Sequence, residues 1–158
     1  MKLSLKIGVL NYLLLFILID MSIHFFYEEI GEFTFDTYLC SNWILACINQ
    51  YHKNSGNLNF IFTSDEYLLG INKKYLQHDY YTDIITFDYC VENTISGDIY
   101  ISIDRVKENA REYNQSFLQE LHRVIIHGIL HLIGLNDHTE EEKIEMRKAE
   151  NICLEKLN

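Results

Sequence analysis

Apolar residues recur along this chain with two periods, and the change from one to the other separates the elements. From Thr37 to about His52 the set Leu39, Cys40, Trp43, Ile44, Cys47, Ile48 and Tyr51 keeps three- and four-residue spacing, which predicts an amphipathic helix. The polar cluster Asn54-Ser55-Gly56-Asn57 ends that helix, and Leu58 to Thr63 predicts a short strand. Ser64 can cap a further helix reaching about Tyr75, with Asp65 and Glu66 in the first turn, where the helix dipole favours acidic groups. A polar turn from Asp79 then leads into a strand ending at Phe87. After a loop holding Asn93 and Ser96-Gly97, residues Ile99, Ile101 and Ile103 alternate with Tyr100 and Ser102, predicting a strand over Asp98–Ile103 with one buried face. Helices follow over about Arg105–Tyr113, over Ser116–Ile133, and from Thr139 onward. The last opens with a Thr139/Glu142 capping box and carries the stripe Met146, Ala149, Cys153, Leu157. Its acidic residues read as a solvated face. With Ser22–Tyr27 as a first strand, the pattern predicts an α+β fold: a small mixed sheet of about four strands packed with helices.

Residues 1–20 stand apart from this pattern. Lys2 and Lys6 precede an apolar run from Ile7 to Ile19, too short for a spanning helix and followed by no small-residue cleavage site. An export signal, a membrane anchor and sequence upstream of the true start all fit. Initiation at Met21 is expected, which leaves residues 1–20 outside one domain over residues 21–158 and gives no stable membrane association. The chain has 158 residues, 48% of them hydrophobic, enough for a core of that kind. The four cysteines, Cys40, Cys47, Cys90 and Cys153, have no metal-ligand spacing; reduced thiols in a cytoplasmic protein are expected. A formal charge of −10 argues against extended, non-specific nucleic-acid binding, which needs a basic face, but leaves room for a local basic cleft.

The chemistry concentrates in His127-Gly128-Ile129-Leu130-His131-Leu132-Ile133-Gly134-Leu135-Asn136-Asp137-His138. Side chains four apart share a helix face, so His127 and His131 can reach one Zn²⁺ together. Gly134 can end the helix in the left-handed conformation and return the chain with a third ligand. Asp137 and His138 compete for that position, and spacing favours Asp137. The run is close to the zincin signature H-E-x-x-H-x-x-G-x-x-H, but Gly128 stands where a metalloprotease has its general base. Three protein ligands leave a position for water, the mark of a catalytic zinc, which activates that water and polarises a phosphoryl oxygen. Gly128 is expected to leave room beside the metal for a phosphate. Arg123, four residues before His127, is the candidate phosphate partner, and Glu120, seven before it, a candidate substitute base.

The segment H-G-I-L-H-L-I-G…D-H resembles the core motif of the YbeY endoribonucleases, the rRNA maturation factors. Asn72…Tyr75, the block Asp79-x-x-Thr82-Asp83-Ile84-Ile85-Thr86-Phe87 and Gly97-Asp98-Ile99 extend the resemblance in the same order, from about Met21 to the C-terminus. The resemblance implies one Zn²⁺, an endoribonuclease specific for single-stranded RNA, a place in rRNA processing and ribosome quality control, and contact with the small ribosomal subunit. Two positions depart from the pattern. The family's third histidine falls on Asp137, and Leu76 stands where the family commonly has arginine after the tyrosine. Two other readings remain: a metalloprotease-like hydrolase, and a non-catalytic ribosome-assembly factor with a structural zinc.

Overall fold

The computed structural model describes residues 22–157, so the expectations for residues 1–20 lie outside the described residues. Strands β1 (Ile23–Tyr27), β2 (Asn54–Thr63), β3 (Ile84–Asp88) and β4 (Thr94–Ser102) form one sheet in the order β1-β2-β4-β3. β1 and β4 both run parallel to β2, and β3 is antiparallel to β4, so the sheet is mixed, as expected for the fold. The α-helices are α1 (Thr37–Gln50), α2 (Asp65–Ile71), α3 (Ile103–Glu112), α4 (Phe117–Ile133) and α5 (Glu140–Leu154). No helix among the described residues is long and apolar enough to cross a membrane.

Four boundaries differ from those expected, each for a local reason. β4 starts at Thr94 rather than Asp98, with Ser96 and Gly97 inside the strand, because Thr94, Ile95 and Gly97 pair with β2. β2 begins at Asn54, because Asn54 and Ser55 pair with Thr94 and Ile95 before a register shift that precedes Leu58. The polar cluster ends α1 but only bulges the strand that follows. The helix capped by Ser64 stops at Ile71 and continues as one π-helical turn, Asn72–Leu76, closed by Gln77 in the left-handed region (φ 59°). Ile103 belongs to α3, since the Ser102 hydroxyl accepts from the Arg105 N–H at 3.1 Å and caps the helix there.

α4 is buried around most of its circumference from Leu121 to Leu132, and such a helix needs neighbours on most sides. The sheet, α1, α3 and α5 supply them. Leu58, Phe60 and Phe62 of β2 with Ile99 and Ile101 of β4 form one core with α1 and α4. Trp43 Nε1 donates to the Cys153 carbonyl at 2.7 Å, tying α1 to α5. Cys40, Cys47 and Cys153 are free buried thiols; burial, with Asp36 nearby, pushes the Cys40 thiol up to about 12.

Two glycines set how closely α4 approaches the sheet. A methyl group on Gly128 would lie 2.8 Å from Ile84 Cδ1 and 3.0 Å from Ile99 Cγ2. Gly128 therefore faces the sheet, and the expectation that it leaves room for a phosphate is corrected: the space it leaves is filled by β3 and β4. On β4, a methyl on Gly97 would meet the Phe87 carbonyl oxygen at 2.5 Å and Leu132 Cδ1 at 3.0 Å. A backbone oxygen cannot swing aside as a side chain can, so Gly97→Ala should overpack this contact. The expected loss is about 1–3 kcal/mol, read from the midpoint of urea unfolding. An unchanged midpoint would show that the strand pair opens freely.

Candidate metal centre

The site is built at the C-terminal end of α4. Ser116 and Gln119 form a capping box that fixes the start of the helix. At the other end Gly134 adopts φ 112°, and the Leu135 N–H returns to the Leu130 carbonyl at 3.0 Å. That closure belongs to the left-handed helix terminus and satisfies carbonyls that would otherwise be orphaned. It also aims the Leu135 carbonyl back at the helix, where it lies 2.9 Å from His131 Nδ1. A carbonyl oxygen only accepts, so Nδ1 carries the proton and Nε2 keeps its lone pair.

His127 is set the same way by a different group. Its Nδ1 lies 2.7 Å from Glu150 Oε1 of α5, which leaves Nε2 free. The two Nε2 atoms then converge to 3.0 Å, with the rings nearly perpendicular. Asp137 Oδ2 stands 3.5 Å from His127 Nε2 and 3.7 Å from His131 Nε2. Burial, then the neighbouring His127, lowers the His131 pKa below the ordinary histidine value, which favours the neutral, ligand-competent ring. Two imidazole lone pairs and a carboxylate oxygen aimed at one point form a donor set suited to a divalent cation of the zinc type. Among the described residues this is the one group of three His, Cys, Asp or Glu side chains so placed. His138 is not part of it. Its backbone N–H is held by Glu142 Oε2 at 2.9 Å, within the cap of α5.

Behind His127 lies a buried charged cluster. Glu150, only 2% exposed, accepts from His127 and Arg123 on Oε1 and from Arg147 on Oε2. Arg123 also forks onto both oxygens of Glu120, at 2.6 and 2.9 Å, and reaches Asp83 at 3.5 Å. Glu120 is fully buried in this pairing. The candidate base and the candidate phosphate partner thus bind each other beneath the site. Glu150 departs from the solvated face expected of the acidic residues of α5. The signal was there, since Glu150 lies four residues after Met146 and three before Cys153, on the apolar stripe itself.

Two cavities meet at the donor group. One, of about 390 Å³, is lined by Arg123, His127 and Asp137 with Lys143, Arg147 and Lys148 of α5. The other, of about 450 Å³, is lined by His131, Asp137 and His138 with Asn72, His78, Tyr80 and Thr86. Asp137 lies on the wall of both.

A convergent His-His-Asp group at the end of a buried helix, on a mixed sheet, defines a site that could hold a metal ion at zincin-like spacing. The comparisons with known proteins narrow this class. The sequence profile of the family described as Endoribonuclease YbeY matches residues 28–158. The Endoribonuclease YbeY of Bacteroides fragilis (strain ATCC 25285) is 53% identical over 114 residues, covering 72% of this chain and 82% of that protein. That of Parabacteroides distasonis is 48% identical over 134 residues, covering 85% of this chain and 94% of the relative. The solution structure of TM1509 from Thermotoga maritima superposes with a TM-score of 0.62 at 28% identity, covering 85% of this chain and 88% of the other. This chain belongs to the YbeY endoribonuclease family.

The hydrogen bonds behind a metal-binding histidine fix its ring and raise its basicity, and losing one typically lowers metal affinity about 10–100-fold. Glu150→Gln, which keeps an acceptor oxygen for His127, should therefore weaken zinc binding by about that factor, measured by competition with a chelator on the folded protein at a temperature well below its unfolding midpoint. In the same assay Asp137→Ala should lose zinc and His138→Ala should retain it. Equal loss in those two variants would reject the assignment of Asp137.

Proposed function

We propose that this protein is a zinc-dependent endoribonuclease that cuts single-stranded RNA in rRNA maturation and ribosome quality control. On this reading it holds one Zn²⁺ and works in the cytoplasm against the small ribosomal subunit. The observation that carries the proposal is the convergence of His127, His131 and Asp137 where two cavities join. A structural zinc is closed by four protein donors, whereas three donors facing open space suit catalysis. Zinc bound here supplies Lewis acidity to a phosphoryl oxygen and brings the pKa of a coordinated water towards neutrality.

The chain's own residues supply the rest. Glu150 and the Leu135 carbonyl hold the Nδ1 protons, so each imidazole offers Nε2 without rotating. Arg123 and Glu120 act as positioning residues, since Arg123 steadies Glu150 from beneath and is itself fixed by Glu120. We assign the phosphate contact to Arg147. Its side chain is 54% exposed on the wall of the first cavity, and its Nη1 is anchored on Glu150 at 2.9 Å. Lys148 extends the same wall, as does Lys143, itself paired with Glu140 at 2.8 Å, giving an acidic chain a short local basic strip beside the donors. The protease reading lacks a base: Gly128 has no side chain, and both Glu120 oxygens are taken up by Arg123 out of contact with solvent.

Zinc-loaded protein incubated with single-stranded RNA and, separately, with an unfolded protein should cut only the RNA, and a chelator should stop the cleavage. His131→Ala should abolish cleavage while the chain still unfolds cooperatively. Cleavage of the protein would favour the metalloprotease alternative. An unfolded His131→Ala chain would favour a structural zinc.

A further inference from the structure

The second cavity carries on its wall a pair of aromatic rings that the metal chemistry does not use. His78 and Tyr80 stack with centroids 5.1 Å apart and planes 21° from parallel, and the Tyr80 hydroxyl meets His78 Nδ1 at 3.0 Å. Tyr80 is nonetheless 58% exposed. Exposure alone would not single Tyr80 out, since Tyr75 and Tyr89 are as exposed; its stacking on His78 and its place on the cavity wall do. The backbone that carries the pair is held in place with care. Asn72, buried in the π-helical turn, donates from Nδ2 to the Tyr80 carbonyl at 2.9 Å, and the His78 N–H returns to the Asn72 carbonyl. Left-handed Gln77, a conformation unfavourable for a residue with a Cβ, makes the bend between them. His78 lies in no motif of the sequence, and its place on the cavity wall follows from the turn that Asn72 closes.

We propose that the His78–Tyr80 pair is a stacking platform for an unpaired nucleobase of the RNA strand held at the donor group. The inference rests on the endoribonuclease reading above and deepens it. Three observations carry it. The rings share one cavity with His131 and Asp137, so a base resting on them belongs to a nucleotide at or next to the metal centre. The pair is already stacked and tethered, so little side-chain freedom is lost when a base adds to it. The basic side chains of α5 line the other cavity, across Asp137, so a strand crossing the donors meets cations for its phosphates on one side and rings for its bases on the other. Sequence-tolerant single-strand recognition needs those two features together. A paired base has no free face to offer the platform, so the device selects for unpaired RNA rather than for sequence.

The test uses a single-stranded RNA carrying the fluorescent base 2-aminopurine, whose emission falls when it stacks, titrated with zinc-loaded protein. Zinc content is measured for every variant. Wild type should quench the probe. Tyr80→Ala should bind about tenfold to a hundredfold more weakly, in the range that loss of one stacked base produces, with zinc content unchanged. Tyr80→Phe, which keeps the ring and loses the hydroxyl, should stay close to wild type. Neither variant should alter weak binding to duplex RNA. Wild-type binding and cleavage with an unaffected Tyr80→Ala would overturn the platform and leave the endoribonuclease reading standing. Equal losses in Tyr80→Phe and Tyr80→Ala would also overturn it, by placing the effect in the hydroxyl. Failure of wild type to bind or cut any RNA would remove the endoribonuclease reading, and the platform with it.

Discussion

The geometry of the site depends on one buried carboxylate. Glu150 reaches across from α5 and accepts three donors on two oxygens, from His127, Arg123 and Arg147. It joins the metal helix to the last helix and, through Arg123 and Asp83, to the turn before β3. Burying such charges is expensive, and a buried ion pair adds little net stability over an apolar replacement. Breaking one by removing a single partner, by contrast, leaves an uncompensated charge and commonly costs about 3–5 kcal/mol. Burial pulls the Arg123 pKa down, but the Glu120 fork and the charges of Glu150 and Asp83 outweigh that and leave it raised. The guanidinium is therefore a fixed cation, and Glu150, held by it, is a fixed acceptor for His127.

That distinction separates what could be read from the sequence from what could not. The i, i+4 histidines and the glycine three residues later are local features, and local geometry alone places them: a shared helix face, then a left-handed stop. The periodicities of β1, α1, α4 and α5 are local in the same sense, and they gave the α+β class with its mixed sheet. Glu150 and the role of Arg123 are contacts between segments far apart in the chain, whereas Asn72 closes a turn onto His78 and Tyr80 close by in sequence. A carboxylate 23 residues from His127 has no spacing rule that assigns it to the site. Glu150 was half legible, as an acidic residue on an apolar stripe, because burying a carboxylate without partners is too costly to be incidental. Gly128 failed for another reason. A missing side chain creates space only on the side to which it would have pointed, and that side of α4 packs on Ile84 and Ile99.

The two cavities also account for how so acidic a chain can handle a polyanion. At −10 the long-range field repels RNA, so contact with phosphate has to come from cations placed at the site itself. Many basic side chains near the cleft are already engaged: Arg123 by three carboxylates, Lys73 by Asp79 at 2.7 Å, and Lys74 over the Tyr75 ring. Arg147 is engaged differently. A single nitrogen is anchored on Glu150, and a guanidinium has five donors, so this contact orients the side chain without exhausting it. Stacking carries no net charge and is unaffected by the field, which makes aromatic rings the natural complement to a short basic strip on an acidic protein.

The same charge count bears on the metal. Around the donor group stand the carboxylates of Glu120, Glu150, Asp83 and Asp137, four negative charges, and the guanidiniums of Arg123 and Arg147, two positive ones. With both histidines neutral, four minus two leaves an excess of two negative charges in a partly buried region. A divalent cation at the donor group would balance it. Had the third ligand been a histidine, the excess would have been one and the cation would have left the site positive. With Asp137 the filled site is close to neutral, so less positive charge remains to draw in phosphate and to polarise it. The half-exposed cations of α5 lie where that deficit would be felt, on the cavity wall that Asp137 shares. Asp137 and the basic side chains of α5 therefore face one cavity, so the charge at position 137 and the charges of α5 act on the same space.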